Sequence, residues 1–150
     1  MNDVFYEMEC SLGFMTISTN RLMSALMRKR LVEAGVLITA EQWGVMAMLW
    51  NEDGQSQDAL AWTLCVDKSS LSRVLDVMER KNLICRVRDP DDARRKIVYA
   101  SKESKKLRQI CREVAQEANS EMLQGISSGD LETCLNVMKQ IKQTLRSISE

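Results

Sequence analysis

One hundred and fifty residues suit a single domain, or a small module whose extra helices need a partner to cover them. Apolar residues make up 45% and charged ones 28%, no basic segment leads into an apolar signal core, and the longest apolar run, Trp43 to Trp50, is too short to span a bilayer, so a cytoplasmic protein without a membrane span is expected. There is no histidine to serve as general base or zinc ligand, and the five cysteines lack paired metal spacing, which argues against an enzyme, a metal site or a cofactor.

The first predicted helix covers roughly Val4 to Ala34. Met8, Leu12, Met15, Leu22 and Leu26 recur at three-four spacing on one face, and Met23, Met27 and Leu31 form a second set around from it. Gly35 is its stop signal. Thr39 opens the next helix, with Gln42 three residues on in capping-box spacing, and the turn-rich cluster Asn51–Gly54 closes it. A short helix follows, about Ser56 to Leu64. Asp67 then caps a helix from Lys68 to Lys81, and Asn82, tolerant of the left-handed conformation, ends it.

On a helical wheel of that segment, Leu71, Val74, Leu75 and Met78 point inward. Ser69, Arg73, Asp76 and Arg80 point outward, flanked by Ser70 and Ser72. Short hydroxyls allow close approach to phosphates and base edges, and arginine can bond guanine bidentately in the major groove. Two short alternating runs, Leu83 to Asp89 and Arg95 to Ser101, read as strands of a hairpin, with the only proline, Pro90, in a loop of about five residues. In that loop Asp92 lies two residues from Arg94 and can hold its guanidinium extended by a charge-assisted bond. An arginine presented this way suits the narrow minor groove, and Arg86, Arg88, Arg95 and Lys96 add phosphate-facing charge.

The charge distribution agrees. Formal net charge is zero, yet Val66 to Arg108 holds thirteen Lys/Arg against seven Asp/Glu. The remainder is acidic by the same margin, a split expected of a DNA reader with acidic flanks. Ser101 caps a further helix to about Gln124, Gly125 to Gly129 breaks it, and the last helix begins near Asp130. Leu131, Cys134, Met138, Ile141, Leu145 and Ile148 form a heptad seam there, and a seam needs something to pack against.

The run LAWTLCVDKSSLSRVLDVMERKNLICRVRDPDDARRKIVYAS resembles the winged helix-turn-helix of the MarR family of bacterial transcriptional regulators. The resemblance is close from Thr39 to about Leu107 and extends to the flanking helices by arrangement only. Asn82 stands where the family usually has glycine, and Ser101 and Ser104 replace its usual threonine and glycine.

The resemblance implies a mostly α fold with a small β-hairpin wing. Residues 36–101 would be the DNA-binding domain, and 1–35 with 102–150 the dimerisation region. Lys68, Ser69, Ser70, Ser72 and Arg73 would face the major groove, and Arg94, oriented by Asp92, would enter the minor groove. A second copy would intertwine its first and last helices with these, bringing Met8, Leu12, Leu131, Cys134, Met138, Ile141 and Leu145 to a homodimer interface. The implied function is a repressor of double-stranded DNA that occupies a pseudo-palindromic operator and is released by a small-molecule effector or an oxidant. Cys10 is the candidate sensor thiol, although Glu7 and Glu9 beside it are the wrong charge to activate it. The alternative is a winged-helix module for protein–protein contact without sequence-specific DNA binding.

Overall fold

The computed structural model describes residues 11–149. The predicted beginning of the first helix, with Met8 and Cys10, therefore lies outside the described residues. The described helix α1 spans Leu12–Glu33, with the Ser11 hydroxyl capping it by accepting the Phe14 amide. Leu31 is buried and Met27 packs on the core, whereas Leu12, Met15 and Leu22 of the other stripe are exposed. The helix ends ahead of Gly35, whose φ of 78° is the left-handed turn a helix end requires.

Helix α2, Ala40–Asn51, opens on the predicted capping box: the Thr39 hydroxyl accepts the Gln42 amide at 3.2 Å, and the Gln42 side chain accepts the Thr39 amide at 3.2 Å. Val45, Met46 and Leu49 form its buried stripe. A strand that sequence reading missed, β1 at Gln55–Ser56, precedes α3, Gln57–Leu64. Two residues carry no periodicity, so only their partners in the sheet reveal them. Helix α4, Lys68–Arg80, buries Leu71, Leu75 and Met78, the face the wheel predicts. It hands over to β2, Ile84–Arg88, through Asn82 at φ 55°.

Strand β3, Lys96–Ala100, lies in the middle of a three-stranded antiparallel sheet ordered β1-β3-β2. Its register sets Arg86 opposite Val98 and Gln55 opposite the same Val98, which is fully buried. Helix α5, Lys102–Met122, is capped by the Ser101 hydroxyl at the Ser104 amide, 3.0 Å, as its sequence suggests. Leu60, Leu75, Met78, Val98 and Cys111 are sealed together with the α2 stripe into one core.

Among the described residues, 11–118 form one compact unit and 119–149 a second. In the second, α6 spans Ser128–Ser149. It begins two residues before Asp130 because Ser127 caps it: the Ser127 hydroxyl accepts the Asp130 amide at 3.1 Å and donates to the Asp130 carboxylate at 2.7 Å. Gly129 is thus inside the helix rather than in the break. None of the α6 side chains is buried.

Candidate nucleic-acid interface

The N-terminus of α4 is tied together by Asp67. Its carboxylate accepts the Ser70 amide at 2.8 Å, the Ser69 hydroxyl at 2.5 Å and the Ser70 hydroxyl at 2.6 Å. Those bonds, the Ser69 hydroxyl first and then the two from Ser70, hold its carboxyl far below the usual carboxylate range. Ser69 and Arg73 are exposed, while Ser70 and Ser72 are half-buried. The Arg73 Nε donates weakly to the Ser69 carbonyl at 3.4 Å, which leaves the rest of the guanidinium directed at solvent. Lys68 pairs with Asp58 of α3 at 2.9 Å, an exposed ion pair that water and salt weaken.

The wing is closed by the Asp89 amide donating to the Arg95 carbonyl at 3.0 Å, so its tip is the five residues 90–94. Here the sequence expectation for Asp92 is corrected. Its Oδ1 accepts the backbone amide of Arg94 at 3.0 Å, and its carbonyl accepts the Arg95 amide at 2.9 Å. An aspartate two residues before an amide folds back onto it more readily than onto the long side chain beyond. Asp92 therefore shapes the turn, and the exposed Arg94 guanidinium is carried by backbone geometry. Arg88, Arg95 and Lys96 are exposed as well. Arg94, Arg95 and Lys96 line a cleft of about 200 Å³ with Ser56, Gln57 and Asp58, between the distal part of the wing and the start of α3.

Arg86 is a second correction. It does not face outward as a phosphate contact: only 10% of its side chain is exposed, and Nη2 bonds Asp76 at 2.6 Å and Glu79 at 2.7 Å. The strand period turns it toward α4, where two carboxylates one helical turn apart receive it. Burial would lower its pKa, but the bonds from Glu79 and Asp76 outweigh that and raise it. Glu79 in turn is held below its ordinary range, chiefly by the Arg86 side chain.

Sequence reading also missed Asp53. Its Oδ1 accepts the Ala100 amide at 2.7 Å and the Gly54 amide at 3.2 Å, and its Oδ2 meets Lys105 at 2.8 Å. Burial opposes its ionisation, yet the bonds from Lys105 and Ala100 prevail and lower its pKa. One carboxylate thereby pins the α2–β1 turn to β3 and α5. Beside it Gly54, at φ 75°, lies under the Tyr99 ring, where a Cβ would approach to 2.8 Å. No local motif announces a contact that reaches 47 residues along the chain.

Of the cysteines, Cys111 is buried and burial pushes its thiol up to about 11, so it is packing rather than chemistry. Cys65, Cys85 and Cys134 are exposed. The described residues hold no cluster of three or more metal-ligating side chains, and none of their helices is long and apolar enough to cross a membrane. Of the residues assigned to a dimer interface, Leu12, Cys134 and Leu145 are exposed and Leu131, Met138 and Ile141 half-buried.

The MarR family model matches residues 38–96, from the end of the α1–α2 connection to the start of β3. A transcriptional regulatory protein of the hcr operon from Thauera aromatica is 40% identical over 58 residues, 39% of this chain, and the match spans only 35% of that relative's length. The transcriptional regulator HosA of Escherichia coli O111:H- is 26% identical over 104 residues, covering 69% of this chain and 77% of HosA. Among solved structures, a point variant of MarR from E. coli complexed with operator DNA superposes with a TM-score of 0.80 at 23% identity, covering 93% of this chain and 99% of that one. CouR from Rhodococcus jostii RHA1, bound to p-coumaroyl-CoA, superposes at 0.70 with 22% identity, covering 95% and 94%. These two structures share the fold.

Proposed function

From a chain that carries a MarR-family winged helix-turn-helix over residues 38–96, we infer a sequence-specific DNA-binding transcriptional regulator that works as a homodimer and represses by occupying its operator. The observation that carries this reading is the pair of exposed arginines on fixed supports: Arg73 on the outer face of α4, and Arg94 at the tip of a wing whose turn is closed by its own backbone. Arg73, with Ser69 and Ser72, would read base edges in the major groove. Arg94 would enter the adjacent minor groove, and Arg88, Arg95 and Lys96 would meet phosphates. Two copies related by a twofold axis would place two such readers on one face of the duplex, with half-sites about one helical turn apart.

Release by a small molecule is supported by analogy alone, CouR being a fold relative with a bound acyl-CoA. The oxidant route through Cys10 keeps only its sequence argument.

The test is a salt titration of duplex binding. Some six to ten phosphate contacts would cost about 10³–10⁵ in affinity between 50 and 200 mM salt. Arg73→Ala should relax sequence preference at a cost of roughly 1–3 kcal/mol. Weak binding at low salt that is indifferent to sequence would contradict this reading and favour a protein-docking module.

A further inference from the structure

Arg86 makes three side-chain hydrogen bonds to α4, and the reading of Arg73 and Arg94 as DNA contacts leaves it without a role. We propose that Arg86 is a positioning residue for DNA recognition: its bonds to Asp76 and Glu79 fix the wing against α4, so that the spacing between the major-groove and minor-groove arginines is built in before DNA arrives. The proposal rests on the DNA-binding reading above.

The geometry is specific to this task. Glu79 grips Arg86 twice, accepting its backbone amide at Oε1 over 3.1 Å and its Nε at Oε2 over 3.2 Å, while Nη2 bridges Oε2 and Asp76. One glutamate of the recognition helix thus holds both the main chain and the side chain of a wing strand. A bond to the side chain alone would leave the strand free to slide, and a bond to the amide alone would leave it free to twist.

The grip falls at the base of the wing. Arg86 stands opposite the buried Val98, whereas everything from Arg88 to Lys96 is exposed apart from Asp89, which is half-buried. A short two-stranded ribbon is marginal by itself. Anchored at its base by charge-assisted bonds from a guanidinium that is itself nine-tenths buried, to carboxylates that stay partly exposed, it becomes an arm of fixed direction. Ordering that arm on the duplex would otherwise subtract from affinity. Arg73 lies on the same helix, one turn before Asp76, so the clamp relates the two readers through α4 itself.

The experiment is a double-mutant cycle on a duplex selected from a random library, with binding followed across a salt series. Arg86→Met in the full-length protein should lower affinity about ten-fold with an unchanged salt slope, because no phosphate contact is lost. Minor-groove protection should vanish at the wing while guanine N7 protection under α4 persists. In an Arg94→Ala background the same change should cost less than about two-fold, since a misdirected arm without its arginine has nothing left to lose. Should Arg86→Met fail to fold, Asp76→Asn removes one arm of the clamp and keeps the Glu79 bonds; its smaller loss should likewise disappear with Arg94→Ala.

Losses from the Arg86 and Arg94 substitutions that simply add would overturn the proposal. So would a salt slope reduced by about one, the mark of a direct phosphate contact. A wild-type protein that selects no sequence would overturn the DNA-binding reading itself, and this proposal with it.

Discussion

The winged lobe and the terminal helix draw on the same residue types and reach opposite states. In the lobe, α4 spends its apolar stripe completely: Leu75 and Met78 are fully sealed and Leu71 nearly so. In α6, 22 residues long, Leu135, Val137, Leu145 and Ile148 are all about half exposed or more, and no side chain of the helix is buried. An isolated helix gains little in water without a packed face. The difference separates an element whose apolar face is covered from one whose apolar face is not, the face the proposed homodimer would use.

The sharpest way to break that contrast is to remove one leucine from each, the buried Leu75 of α4 and the exposed Leu145 of α6. Leu75→Ala should destabilise the lobe by about 2–5 kcal/mol in urea unfolding, whatever the protein concentration. A cost below about 1 kcal/mol would mean that the α4 core is looser than described. Leu145→Asp should leave the lobe folded but raise the dimer dissociation constant in sedimentation equilibrium. Affinity for a palindromic duplex should then fall about a hundred-fold as paired engagement is lost. An unchanged sedimentation profile would exclude the α6 stripe from the dimer interface.

A third test separates surface from core within the lobe. Arg94→Ala should weaken duplex binding by roughly 1–3 kcal/mol, with unfolding free energy shifted by no more than about 0.5 kcal/mol. A large loss of stability instead would mean that Arg94 braces the wing rather than contacting DNA. Thr39→Ala, which removes the α2 capping box, should cost about 1 kcal/mol of lobe stability and leave DNA specificity intact.

The mildest probe is acid. Glu79 and Asp53 both have folded pKa values depressed below their ordinary 4.5 and 3.8. Their contribution is therefore fully present above those values and is lost as pH falls through the lower, folded ones. Between neutrality and about pH 5 the lobe's stability should be flat with respect to these groups, then decline. Glu79→Gln should flatten part of that decline, and an unaltered acid limb would show that its bond to Arg86 contributes nothing to stability.

Much of this was legible in the chain. Asp67 and Asn82 bracketed α4 to within a residue or two, Thr39 and Gln42 announced the start of α2, and alternating residues around Pro90 marked the hairpin. These are local signals, made by side chains that bond to backbone three residues away or by a period of two or 3.6. What escaped was non-local. Strand β1 exists only because β3 pairs with it, and Asp53 acts on Ala100 and Lys105. Arg86 shows the same limit most clearly: by composition it is one more wing cation, and only the fold turns it into α4's grip on the wing. Asp92 failed for a different reason, since its spacing to Arg94 suits an amide as well as a guanidinium.

The most direct test of the central claim is selection of duplexes from a random library by the purified protein, followed by footprinting on the enriched sequence. The account predicts an inverted repeat whose half-sites are centred about 10–10.5 base pairs apart or a multiple of that, each protected in the major groove and at an adjacent minor groove. Enrichment of a single, unpaired half-site would contradict the paired readers, and no enrichment at all would contradict sequence-specific recognition.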